Sequence, residues 1–240
     1  MAVELDLREK GAIRNGERMV SEGRLFMQLL VFGRCENTAR LRKDLRAASF
    51  ESVLYEDVND PRGVALLTWN QNPEFFVTAA REFLLKSGFG ALEPKPELTM
   101  FGRTYAIGHE PDLDNWLFEK PRQTVLNPEW PWAVWYPLRR SGSFSGLAPE
   151  EKGPVLSEHG KIGHAFSEAG YAHDVRLACF GLDKNDNDFV IGLTGSELHP
   201  LSACVQEMRK TQQTSRYIQS MGPFFVGRAA WQSPRSTEKE

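Results

Sequence analysis

WAVWYPLRR (Trp132–Arg140), EHGKIG (Glu158–Gly163), DVRLACFGLDKNDNDFVIGL (Asp174–Leu193) and GPFFVGR (Gly222–Arg228) follow one another in the second half of the chain. The first and third have strand composition, rich in aromatic and β-branched residues. The second lies late in a helical run. Read outward, the second half becomes strand 132–139, helix 148–166, strand 175–182, a turn at 183–186, strand 189–194, helix 197–217 and strand 223–227. That order is β-α-β-β-α-β.

The first half repeats it. LFMQLLVF (Leu25–Phe32) reads as a strand, followed by an amphipathic helix over 36–47 with Ala39, Leu41 and Leu45 on one side. A strand from 49 to 58 runs into Asn59-Asp60-Pro61-Arg62-Gly63, a turn composition, and VALLTW returns as the hairpin partner. Asn72-Pro73 opens a second helix over 74–86, and a strand over 98–106 closes the set. The expectation is an α+β protein of two tandem ferredoxin-like units, residues 20–111 and 132–230, with their antiparallel sheets packed together. Residues 112–131 form the expected linker. The termini, 1–19 and 232–240, read as polar and loosely held.

Composition excludes several classes. Apolar residues at 41%, charged residues at 25% and a net charge of −3 are ordinary globular values without the basic excess of a nucleic-acid binder. The longest apolar run is too short to span a bilayer, and the charged N-terminal stretch MAVELDLREK lacks a secretory core. A cytoplasmic protein is expected. Cys35, Cys179 and Cys204 are odd in number and set in apolar segments, so they read as small buried hydrophobes.

The chemistry-bearing residues are few. His159 shares a helix face with Leu156, Gly163 and Phe166. A histidine on an apolar stripe is a core residue as readily as a metal ligand, while Gly160 and Gly163 leave room for something flat to approach. Tyr136, before Pro137, reads either as a packed sheet tyrosine or as a redox-capable phenol. Arg139 and Arg140 read as solvated cations or as carboxylate binders. Arg176 lies between Val175 and Leu177, and a strand arginine needs an anionic partner or a polar cavity. Arg103 and Tyr105, polar residues that end the first unit, read as edge-strand residues ahead of pocket-lining ones. His109, His164, His173 and His199 read as structural or solvated. GLDKNDND lacks the glycine and terminal glutamate of a calcium loop and reads as a hairpin turn.

These motifs resemble the chlorite dismutase family, which includes the coprohaem decarboxylases. The resemblance implies a haem b protein, commonly pentameric, with His159 of the EHG motif as the iron ligand. It makes Arg176, counted back from Asp188-Phe189, the distal arginine that acts on chlorite or peroxide. It makes Tyr136 the counterpart of the decarboxylase radical tyrosine, with Arg140 where that branch carries a lysine, and coprohaem the alternative occupant as substrate. Gln213 stands where many members carry a glutamate bonded to the ligand histidine. Ser141-Gly142-Ser143-Phe144 stands where chlorite-degrading members carry a tryptophan pair.

Overall fold

The computed structural model describes residues 5–234. Its first element is a hairpin, β1 (Glu9–Arg14) and β2 (Glu17–Ser21), within the stretch expected to be loosely held. The turn explains the difference. Asn15 and Gly16 adopt φ of 53° and 84°, the left-handed pair that lets a two-residue turn follow the strand twist. Side contacts then hold the hairpin: Ala12 N–H donates to the Glu110 carbonyl at 3.0 Å, and the Glu9 carboxylate accepts from Arg103 Nη1 at 2.8 Å. Residues 1–4 and 235–240 lie outside the described residues.

The first unit is β3 (Phe26–Gly33), α1 (Thr38–Arg46), β4 (Ser52–Asp57), β5 (Val64–Asn70), α2 (Ala79–Lys86), the two-residue β6 (Glu93–Pro94) and β7 (Met100–Arg103). α1 begins where Asn37 accepts the Ala39 N–H, and it buries Leu41 and Leu45, one turn apart. The expected helix over 74–86 is split into a tight turn, Pro73–Val77, and α2. The sheet order is β7-β3-β5-β4.

The segment expected as a linker is structured. It carries a wide helical turn, Asn115–Glu119, and α3 (Lys120–Val125), and it sends Leu117, Val125 and Leu126 into the interior. Together with the buried Leu113, these side chains make the segment part of the core rather than a tether.

The second unit is β8 (Trp132–Arg140), α4 (Gly142–Ser145), α5 (Pro149–Glu168), β9 (His173–Ala178), β10 (Phe189–Gly195), α6 (Leu198–Lys210), α7 (Gln212–Tyr217), β11 (Ile218–Met221) and β12 (Phe225–Gln232). Its order, β12-β8-β10-β9, repeats that of the first unit. The helix expected over 197–217 breaks at Thr211, whose backbone is extended (φ −67°, ψ 153°) and whose hydroxyl accepts the Thr214 N–H of α7. Threonine offers the chain this local alternative to a continuous helix.

The two sheets meet at their edges as well as across their inner faces. β12 runs beyond the expected 223–227, and its extension pairs with β4 from Gly227↔Asp57 to Gln232↔Val53. At the other junction Arg103 of β7 pairs with Ala178 of β9. Eight strands thus close into a ring filled by Met27, Leu29, Val53, Leu67, Trp135, Val175, Leu177 and Phe225. Gly192 makes room inside it, since a Cβ there would lie 2.5 Å from the Trp135 ring. Two further clusters lie outside the ring, one under α1 and α2, the other under α5 and α6. No helix among the described residues is long and apolar enough to cross a membrane.

Candidate functional site

Directly paired residues of antiparallel strands project from the same face. Tyr136 of β8 pairs with Ile191 of β10, which pairs with Arg176 of β9. The three form one row on the helix-covered face, while Trp135, Gly192 and Val175 form the row behind it inside the ring. α6 covers β8 and β10 on this face, and α5, which carries His159, packs against β9 and α6.

The His159 ring is oriented by the helix break. Its Nδ1 lies 3.2 Å from Thr211 Oγ1. The Thr211 hydroxyl lies 2.8 Å from the Met208 carbonyl, nearer than any other acceptor it has; with its hydrogen placed there, Nδ1 is the N–H donor and Nε2 keeps its lone pair. The neighbouring Glu158 accepts the Gln212 N–H at 2.9 Å, so both residues of the Glu-His pair engage the same break. Burial, then the positive charges of Arg140 and Arg176, lower the His159 pKa to about 4. The ring is therefore neutral near pH 7, the form that binds a metal. Its hydrogen-bond partner is Thr211, two residues before Gln213, and the two-helix break that makes it so is invisible in a segment of helix-forming residues.

Arg140 and Arg139 part company. Arg139 turns to Asp186 at 2.6 Å. Arg140 lies between two aromatic faces, 4.6 Å from the ring centres of Phe144 and of Phe189, and its backbone N–H donates to Asp188 Oδ2 at 2.8 Å. Burial lowers its pKa, and its Nε is buried with no hydrogen-bond partner among the described residues. A guanidinium so held favours an anion as neighbour.

Arg176 has the anionic partner a strand arginine requires: its Nε forms an ion pair with Asp174 Oδ2 at 2.8 Å, and its guanidinium lies 5.0 Å from the Trp116 ring centre. Tyr136 is buried and stacks on Phe224 at 4.6 Å, and burial pushes its hydroxyl pKa up, so it is protonated. Tyr105, expected at a strand edge, lies past the end of β7 and packs on Phe189 with ring centres 5.6 Å apart. The charges of Arg176 and Arg140 act on its hydroxyl. Trp116 was not legible as a site residue, because the linker reaches this face only in the folded chain. Of the remaining histidines, His164 pairs with Glu168 at 3.1 Å on the surface and His173 stacks on Trp130 at 3.5 Å.

Among the described residues no group of three or more His, Cys, Asp or Glu side chains could hold a metal ion. A lone neutral imidazole suits a metal that brings its other ligands in a macrocycle, and the unpartnered Arg140 donor suits a carboxylate beside it.

A family model described as Chlorite dismutase matches residues 116–230. None of the curated proteins compared with the chain matches it. Among solved structures, a haem-binding protein from Thermus thermophilus superposes with a TM-score of 0.66 at 20% identity, over 86% of this chain and 91% of that one. Chlorite dismutase from Candidatus Nitrospira defluvii in complex with imidazole superposes with a TM-score of 0.64 at 13% identity, over 89% and 93% of the two chains. At these identities the superpositions establish the tandem fold, and the family match covers the segment that carries Trp116, Tyr136, Arg140, His159 and Arg176. Residues 116–230 are thus similar to the chlorite dismutase family.

Proposed function

We propose that the protein is a haem-dependent oxidoreductase of the chlorite dismutase type, acting on chlorite, which yields chloride and dioxygen, or on peroxide. The observation that carries this reading is His159: neutral, held by Thr211 through Nδ1, without a hydrogen-bond partner at Nε2 among the described residues and within the field of two arginines. Haem b, when bound, supplies the redox-active iron and an open coordination position. His159 Nε2 holds the iron. Thr211 keeps the ring in one tautomer and, being a neutral acceptor, leaves the imidazole less electron-rich than a carboxylate partner would. Arg140, clamped between Phe144 and Phe189, binds a haem propionate. Arg176 draws in a small oxyanion and stabilises negative charge on the group that leaves it. The same proposal includes a homo-oligomer, a pentamer by family resemblance, in the cytoplasm.

Replacing Arg176 by alanine should slow oxygen release from chlorite while the haem spectrum is retained. Undiminished turnover would end this assignment.

A second reading, peroxide-dependent decarboxylation of coprohaem, draws on Tyr136, buried in the same row as Arg176 and stacked on Phe224. Mass spectrometry after peroxide addition tests it, and coprohaem that keeps all its carboxyl groups rules it out. A non-catalytic protein is the third outcome: haem-binding when haem binds and neither reaction occurs, a haem-free oligomer when the purified protein ignores added haem.

A further inference from the structure

Two cavities meet at Lys120 and Asp174. The outer one, about 340 Å³, is walled by Lys120, Thr124, Asn127, Trp130, His173 and Asp174. The inner one, about 20 Å³, is walled by Tyr105, Trp116, Lys120, Asp174 and Arg176 among others, and accommodates one water-sized group. Lys120 and Asp174 line both, so this pair is the partition between the open space at α3 and the guanidinium at β9.

The partition carries a surplus positive charge. Asp174 Oδ2 lies 2.8 Å from Arg176 Nε, and its Oδ1 lies 3.9 Å from Lys120 Nζ, so one carboxylate serves two cations. Both cations lie over the Trp116 ring, Lys120 at 4.2 Å and Arg176 at 5.0 Å from its centre. The indole N–H is fixed on the Tyr105 carbonyl at 3.0 Å. The Arg176 terminal amino groups carry no hydrogen bond among the described residues, and the one carboxylate near the Lys120 ammonium among them is Asp174, at 3.9 Å. Burial lowers the Lys120 pKa, a cost that an anion alongside would relieve.

We propose that the outer cavity is a vestibule for small monovalent oxyanions, in which Lys120 captures the anion and Asp174 governs its transfer to Arg176. The inner cavity takes one oxygen of a bent triatomic anion while the rest stays beside Lys120. The proposal rests on the reading of Arg176 as the substrate-side cation, and it adds the chain's own route to that cation.

The test uses metal-free protein and nitrite, with ionic strength held constant by sodium sulfate. Resonances of the Trp116 and Trp130 indole N–H groups and the Arg176 Nε–H are followed by NMR. Saturable shifts are expected in the wild type, Lys120→Met should weaken the apparent affinity about fivefold, and Asp174→Asn should tighten it about fivefold, opposite signs for loss of a positive and a negative charge. Absent shifts, or affinities within about twofold across the three proteins, overturn the proposal; Lys120→Met carries the test alone if Asp174→Asn does not fold. Haem titration of the same proteins separates the two readings. Nitrite binding without haem binding keeps the vestibule and removes the haem assignment, and the reverse keeps haem and removes the vestibule.

Discussion

The two units present the same row of the same sheet to very different company. In the first, Leu54, Leu66 and Leu30 pair across β4, β5 and β3. In the second, Arg176, Ile191 and Tyr136 pair across β9, β10 and β8. Over the leucine row the helices close with aromatic side chains, Phe83 packing on Phe89 at 6.0 Å and Phe32 on Phe89 at 5.5 Å between ring centres. Around the other row lie His159, Tyr105 and, at the end of β8 itself, Arg140, with a helix broken at Thr211. A row of leucines is the cheaper way to fill that space, because buried charge costs free energy that apolar packing does not. The second unit departs from the arrangement that stabilises the first, and departures of this kind concentrate where a protein acts.

The sharpest way to break the comparison is to exchange chemistry between the rows. Leu54 is fully buried, so Leu54→Arg should cost about 4 kcal/mol or more, or abolish folding. Arg176→Leu should change stability by no more than about 1 kcal/mol, since its side chain and that of Asp174 are each 34% exposed and the pair is screened. Urea unfolding of both variants decides it, and equal costs would mean that the second row is as structural as the first.

A titration sharpens it next. His159 in metal-free protein should titrate at about 4, below its ordinary 6.5. The unfolded chain then binds the proton more readily than the folded one. The stability from this half-buried ring is complete above about pH 6.5 and declines by up to about 2 kcal/mol as the pH falls to 4. Imidazole NMR resonances titrating near 6.5 would contradict the burial and the two-arginine field.

Smaller effects test its orientation. Thr211→Val should cost about 1 kcal/mol and release the ring from the Nδ1–H tautomer, visible in imidazole ¹⁵N shifts. An unchanged tautomer would show that Thr211 does not set it. Smallest is Gly160→Ala: a Cβ there meets nothing within 4 Å, so metal-free protein should gain up to about 1 kcal/mol in thermal unfolding. A loss would mean that the space is already filled.

The tandem plan was legible because its strands carry strong local patterns, as in LFMQLLVF and WAVWYPLRR. Tyr136, Arg140, His159 and Arg176 could be named because a charge or phenol inside an apolar element stands out in sequence. Ring closure was not legible. Ala229–Gln232 become strand only by pairing with β4, far away in the chain, and nothing local announces the partner. Thr211 was missed because Gln212–Tyr217 continues a helical composition, and the linker because its prolines masked the spacing of Leu113 and Leu117. The Asn15-Gly16 turn was readable, yet its polar flanking strands lack the alternation that flags a hairpin.

The central claim, that the second unit's helix face is a haem site held by His159, is tested most directly by absorption titration of metal-free protein with ferric haem, wild type beside His159→Ala. A saturable Soret band in the wild type, lost or shifted in the variant, is the predicted result. No band in the wild type, or the same band in both, would contradict it.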